Sequence, residues 1–360
     1  MFISLYKYQK TVYNISAMIN RDQITNLRKL FIENYQAGQS KESTTKPSEE
    51  SIEKIPGQIR GLQQKIISAR NETFKTAAPE TAPRTRSIAV TSGKGGAGKT
   101  NFVANLAIAF SKMGKKVLVL DADLGLANID VIYGLRPKFN LFHVITGQKK
   151  LSEIIIHGPA GVMLAPGGSG IVELANINEG ERKHFLAEMG EFENKVDIIL
   201  VDTSAGINKN VLCFLKACSE IIFITLPEPP AIADAYGIIK AASAGESEQK
   251  QKLYLVINRV SGAVEAQDVY DRLSLVTRRF LNIEIENMGY ILEDKVVPSA
   301  VKAQSPYILV SPNSGAANCL QNIAQKMLNI DVDKAYGGTA VDKLKTGFKS
   351  FFYRIGELFN

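Results

Sequence analysis

The sequence is poor in the residues that build metal and disulfide sites. Its 360 residues include three cysteines and three histidines. Cys213, Cys218 and Cys319 lie in apolar surroundings, and no two form a Cys-x-x-Cys pair. This scarcity argues against a disulfide framework or a zinc centre, and it predicts reduced, buried thiols in a cytosolic protein. Also missing is any apolar run near the roughly 20 residues that a bilayer-spanning helix needs. The first stretch, "MFISLYKYQKTVYNISA", is interrupted by Lys7 and Lys10 and makes a poor secretory leader. What the chain does have is apolar residues, 45% of the total, enough for a sizeable core. The net charge of +7 is compatible with an anionic membrane or with nucleic acid and demands neither.

Four regions follow along the chain. Residues 1–37 contain a helical segment in which Ile24, Leu27, Leu30 and Phe31 recur at helical spacing, with Asp22 placed to cap it. Residues 38–85 are rich in Ser, Thr, Glu, Lys and Pro and read as a flexible linker, with a short helical pattern around Ile59–Ile67. From residue 86 to 331 short apolar runs alternate with amphipathic segments. The runs are "SIAVTS", "KKVLVLDAD", "VMLAP", "VDIILVDT", "EIIFITLP", "KLYLVINRV" and "MGYIL". They are β-branched and nearly continuous in hydrophobicity, as strands covered on both faces must be. This predicts an α/β domain with a doubly wound, mainly parallel sheet flanked by helices. Residues 332–360 form a second linker and a terminal amphipathic helix.

The most specific motif is "GKGGAGKT". Gly93, Lys94, Gly95, Gly96, Ala97, Gly98, Lys99 and Thr100 fit G-x-x-x-x-G-K-[ST] between a predicted strand and a predicted helix, a phosphate-binding loop. Glycines let the loop curl so that its N–H groups face phosphate oxygens, and the following helix adds its positive end. Lys99 is expected at the β- and γ-phosphates and the Thr100 hydroxyl at Mg²⁺. Asp121 and Asp123 end one strand and Asp202 ends another. Carboxylates so placed can hold a Mg²⁺-bound water or orient the attacking water. Gly206 is expected to bring a backbone N–H to the γ-phosphate. Asn258, followed by Arg259 rather than by the acid a guanine site needs, favours ATP over GTP.

One lysine suffices for such a loop, and this loop has two. "KGGAGKT", "DADLGLANID", "DTSAG" and "VINRV", in that order, resemble the deviant Walker A ATPases of the MinD/ParA class over roughly Ser87–Leu328. The resemblance implies that Lys94 reaches across a face-to-face homodimer to the partner's nucleotide. A cation supplied in trans offsets transition-state charge and is worth about 10³–10⁵-fold in rate. It also implies that Asp123 is needed for hydrolysis and that Asp121 contacts a Mg²⁺ water. Asn101, next to Thr100 in the nucleotide-binding stretch, stands where a second Thr is common, with little expected effect.

"TLPEPPAIADAYGIIK" and "MGYILEDKVVPSAVKAQSPYILVSPNS" are similar to the flagellar-number regulators called FlhG or FleN. "RDQITNLR" resembles their N-terminal activator element, with Ile24 replacing an alanine. Residues 21–31 are therefore expected to stimulate an FlhF-like GTPase, and Met18 is a candidate initiator. Flagellar switch (C-ring) proteins are further candidate partners. At the other end, Leu344, Phe348, Phe351, Phe352, Ile355, Leu358 and Phe359 form one helical stripe bordered by Lys343, Lys345, Lys349 and Arg354. Residues 341–360 are expected to bind the anionic cytoplasmic face of the cell membrane reversibly, two tails per ATP dimer acting together. The alternative is a helix docked on its own core or on a partner. Other functional readings are MinD-like control of division, ParA-type partition, which would need DNA binding and is disfavoured by the tail, and an iron–sulfur carrier, disfavoured by the apolar setting of Cys213 and Cys218.

Overall fold

The computed structural model describes residues 85–123, 128–168, 195–244 and 251–329, together with Gly180, His184, Glu188, Phe351, Phe352, Arg354 and Ile355. The predicted activator element and nearly all of the predicted first linker lie outside these residues. Along the chain come β1 (Arg86–Thr91), α1 (Lys99–Lys112), β2 (Val117–Ala122), α2 (Ile129–Ile132), α3 (Leu141–Ile145), α4 (Leu151–Ile154), β3 (Ile156–His157), β4 (Met163–Ala165) and β5 (Ile198–Thr203). Then follow α5 (Lys209–Ala217), β6 (Glu220–Thr225), α6 (Pro229–Ala242), β7 (Lys252–Val260), α7 (Ala263–Leu281), β8 (Glu286–Leu292), α8 (Val296–Lys302), α9 (Tyr307–Val310) and α10 (Gly315–Leu328).

Among the described residues the strands form one eight-stranded sheet in the order β3-β4-β2-β5-β1-β6-β7-β8. Every pairing is parallel except β3 with β4. Each predicted run is a strand. The two-residue β3 escapes a sequence reading because it is too short to show a period. The central strands β1, β2, β5 and β6 are buried along their whole length. Their side chains alternate between two clusters, one on each face. Ile88, Val90, Val119, Leu200 and Ile222 pack with α1 and α10, whereas Ala89, Leu118, Leu120, Ile199 and Ile221 pack with α5, α6 and α7. The sheet is thus covered on both sides, and its polar groups are pushed to the strand ends.

Two expectations are adjusted. Cys213 and Cys218 are buried as expected, but Cys319 is only partly covered. More consequentially, the described part of the terminal stripe lies inside the protein. Phe351 and Phe352 are 0% and 2% exposed and Ile355 is 0% exposed, in the same cluster as Val211, Cys213 and Phe214 of α5. The two rings meet edge to face at 4.8 Å. Arg354 lies near enough to Cys218 for its charge to oppose the upward push that burial gives that thiol. Burying each large apolar side chain is worth about 1.5–3 kcal/mol, so these three resist exposure to water. Leu344, Phe348, Leu358 and Phe359 lie outside the described residues.

Candidate functional site

The loop between β1 and α1 sits at the carboxyl end of the sheet. Two of its glycines are demanded by neighbours. Gly98, the N-cap of α1, has φ 92°, and a Cβ there would stand 2.4 Å from the Asn258 amide nitrogen. A Cβ on Gly93 would stand 2.2 Å from the carbonyl oxygen of Asp234 in α6. The loop is therefore gripped from two sides, by the end of β7 and by α6. Ser92 Oγ donates to the Lys94 carbonyl at 2.7 Å and tightens the turn. Gly95 and Gly96 are exposed at the crest.

The two lysines of the loop have opposite surroundings. Lys99 is 7% exposed, and burial lowers its pKa, an effect opposed by the charges of Asp202 and Asp123. Lys94 stands on the crest with its side chain 47% exposed, and its Nζ lies 3.5 Å from Glu228 Oε2 at the head of α6.

The carboxylates differ as sharply. Asp121 and Asp202 are register partners on adjacent parallel strands and point to the same face as α1. Asp121 accepts from the backbone N–H groups of Asp123 (3.2 Å), Asn128 (3.1 Å) and Ile129 (3.3 Å). Burial raises its pKa to about 6, the three N–H groups pull it down, and the Asp123 charge pushes it up. Asp202 is 0% exposed, and neither of its oxygens accepts a well-formed hydrogen bond among the described residues. The Thr100 hydroxyl beside it favours the charged form. Burial pushes the Asp202 carboxyl up to about 8, reinforced by Asp121 and opposed by Thr100 and Lys99. A fully buried carboxylate so poorly satisfied normally needs an explanation, and a cation with its waters beside Thr100 supplies one. The donor set of one hydroxyl and one or two carboxylates suits Mg²⁺. Among the described residues no cluster of three or more His, Cys, Asp or Glu could hold a metal ion by itself.

Three predicted site residues make bonds that the sequence did not foretell. The Gly206 N–H donates to the Ser92 carbonyl at 3.0 Å, so meeting a γ-phosphate requires that bond to open. Asn258 donates through Nδ2 to the Ala97 carbonyl at 2.8 Å and accepts from the Arg259 N–H at 3.0 Å, which ties the end of β7 to the loop between β1 and α1. Arg259 sits at φ 57°, a strained conformation for a non-glycine residue. Asn101 turns away from the loop: its Oδ1 and carbonyl both accept from Asn105 Nδ2, and Asn105 Oδ1 accepts from the Ile308 N–H. Sequence reasoning passed over Glu228 and Asp234 as site residues. The available signal was a carboxylate in "LPEPP", directly after a strand that pairs with β1.

Over residues 88–307 the chain matches the family model described as the CobQ/CobB/MinD/ParA nucleotide binding domain. It is 35% identical over 240 residues to the antiactivator FleN of Pseudomonas aeruginosa, covering 67% of this chain and 85% of that protein. It is 38% identical over 273 residues to the flagellum site-determining protein YlxH of Helicobacter pylori, covering 75% and 90%. Among solved structures, the septum site-determining protein MinD of Pyrococcus horikoshii complexed with Mg-ADP superposes with a TM-score of 0.56 at 24% identity, over 69% of this chain and 98% of that one. MinD in the MinC:MinD complex of Aquifex aeolicus gives 0.54 at 26% identity, over 69% and 97%.

Proposed function

The chain belongs to the CobQ/CobB/MinD/ParA family of P-loop nucleotide-binding proteins, and from that premise we propose that it is an ATP-dependent dimerising switch that sets flagellar number or placement. The observation that carries this reading is the division of labour between the two lysines. Lys99 is buried against the carboxylates and serves its own phosphates. Lys94 stands exposed on the crest, where a second molecule can reach it. Relatives named for flagellar antiactivation and flagellum siting give the biological direction.

In this reading Lys99 and the loop N–H groups from Gly95 to Thr100 hold the triphosphate. Asp123, half-buried at the end of β2, orients the attacking water, and Asp121 fixes the turn that carries it. Thr100 and Asp202, with Asp121 toward a Mg²⁺-bound water, are the groups that would hold Mg²⁺, which would neutralise phosphate charge when bound. Lys94 supplies the charge that arrives late, across the dimer. Asn258 joins the base site to the phosphate loop. Hydrolysis is slow and depends on dimerisation. An Asp123→Ala variant saturated with ATP is expected to sediment as a dimer. If it remained a single subunit, the reading would be wrong.

The tail gives the switch its output. Phe351, Phe352 and Ile355 cannot lie in a membrane and in their own core at once. Reversible attachment to an anionic membrane therefore requires the tail to leave α5, and two released tails in one dimer bind by avidity. Removing residues 341–360 should abolish ATP-dependent sedimentation with anionic liposomes; because it also uncovers the apolar face of α5, hydrolysis is compared per folded molecule. Partnership with an FlhF-like GTPase rests on residues 21–31, and its check is stimulation of a purified FlhF GTPase by a peptide spanning Asn20–Glu33. A peptide without effect would leave a MinD-like ATPase of division control as the better reading.

A further inference from the structure

The crest of the phosphate loop is backed by α6. Gly93 leaves no room between the loop and the Asp234 backbone, so Lys94 starts from a fixed place beside that helix. The head of α6 is stiff for its own reason, because Pro229 and Pro230 occupy its first two positions. Glu228, the residue before them, has extended backbone, as the following proline requires. It stands at the N-cap position, yet its side chain makes no cap hydrogen bond to the helix. Its carboxylate faces the Lys94 ammonium at 3.5 Å. Both side chains remain well solvated, at 47% and 59% exposure. Such a contact is weak and easily exchanged.

We propose that Glu228 is a positioning residue that holds Lys94 in cis on a lone subunit and yields it to the phosphates of a second subunit. The proposal rests on the reading of Lys94 as a charge supplied in trans. Each subunit must give up its Lys94–Glu228 contact when the dimer closes, so the contact opposes dimerisation twice. A triphosphate carries more negative charge than one carboxylate, so the exchange runs forward once a loaded partner is present. Glu228 thereby sets the concentration of loaded subunits at which the dimer forms.

The test is the dimer dissociation constant in saturating ATP, measured by sedimentation equilibrium in the Asp123→Ala background with and without Glu228→Gln. An exposed ion pair is worth about two- to five-fold in an equilibrium constant. Losing two is expected to tighten the dimer by about four- to twenty-five-fold. Glu228→Asp, which keeps the charge, should stay closer to the parent than Glu228→Gln does. The gap between parent and Glu228→Gln should shrink in 1 M salt, where the screening length is about 3 Å. A Glu228→Gln dimer of unchanged or weaker affinity overturns the proposal, and weaker affinity would mean that Glu228 acts across the interface instead. If the Asp123→Ala parent itself stays monomeric in ATP, the reading of Lys94 fails and takes this proposal with it.

Discussion

The two ends of the same parallel strands bury charge in opposite ways. At the amino end, Arg86 of β1 meets Glu220 of β6 through two bonds, Nε to Oε1 at 2.7 Å and Nη2 to Oε2 at 2.6 Å. Its remaining Nη1 donates to the Met327 carbonyl at 2.8 Å, which locks the last turn of α10 to the sheet. Nothing there is left for a ligand to do. At the carboxyl end Lys99 and Asp202 are buried about as deeply, and Asp202 lacks a well-formed hydrogen bond. Equal burial with unequal satisfaction separates a clamp from a site. The clamp leaves each buried charge compensated, so that losing either partner is costly, whereas the site stores cost that a bound nucleotide and cation would offset.

Mutations can break this contrast, beginning with the clamp. Glu220→Ala leaves a buried guanidinium without its carboxylate and is expected to cost about 3–5 kcal/mol of folding stability. Urea denaturation would measure it, and ATP turnover per folded molecule should be unchanged within about two-fold. Lys99→Ala should do the reverse. Turnover is expected to fall at least about a hundred-fold, as when one preorganised electrostatic donor is removed, with little loss of denaturation midpoint. An equal loss of stability in both variants would erase the distinction.

The pH dependence sharpens the comparison. The folded pKa values of Asp202 and Asp121, about 8 and about 6, stand above the usual aspartate value of 3.8. Above that value the unfolded chain has released protons that the folded chain still holds. Stability therefore falls as pH rises, through Asp121 between about 4 and 6 and through Asp202 up to about 8. The slope per group is at most about 1.4 kcal/mol per pH unit. Asp202→Asn should flatten the curve above pH 6 and stabilise the protein at pH 8 while impairing Mg²⁺-dependent ATP binding. A slope retained in Asp202→Asn would place the titration elsewhere. The smallest effect concerns the grip on the loop. Gly98→Ala, strained at φ 92° and crowded by Asn258, is expected to weaken ATP binding about ten-fold, on the order of 1–3 kcal/mol of strain. Adding Asn258→Ala should restore part of it, as isothermal titration would show.

Much of the fold was legible because its signals are local. Continuous β-branched runs announce strands buried on both faces, and "GKGGAGKT" announces a phosphate loop through its own spacing. The positions of Lys99, Thr100, Asp121 and Asp202 followed from strand ends and the loop. Three details did not follow. Asn258 and Gly206 each have two possible bonding partners, and only the spacing of β7, β5 and β1 shows that the backbones at Ala97 and Ser92 take them. The terminal stripe "FKSFFYRI" has the same amphipathic pattern whether it faces lipid or a protein core, because periodicity records that a face is apolar and not what covers it.

By itself, then, the sequence determined the class of fold, the order of its strands along the chain, and the presence of a phosphate-loop motif between β1 and α1, since each is written in contiguous spacing. The tertiary structure alone decided which buried charges are satisfied, that Glu228 stands beside Lys94, and that Phe351, Phe352 and Ile355 lie in the core. Those outcomes depend on contacts between residues far apart in the chain, and no local period encodes them.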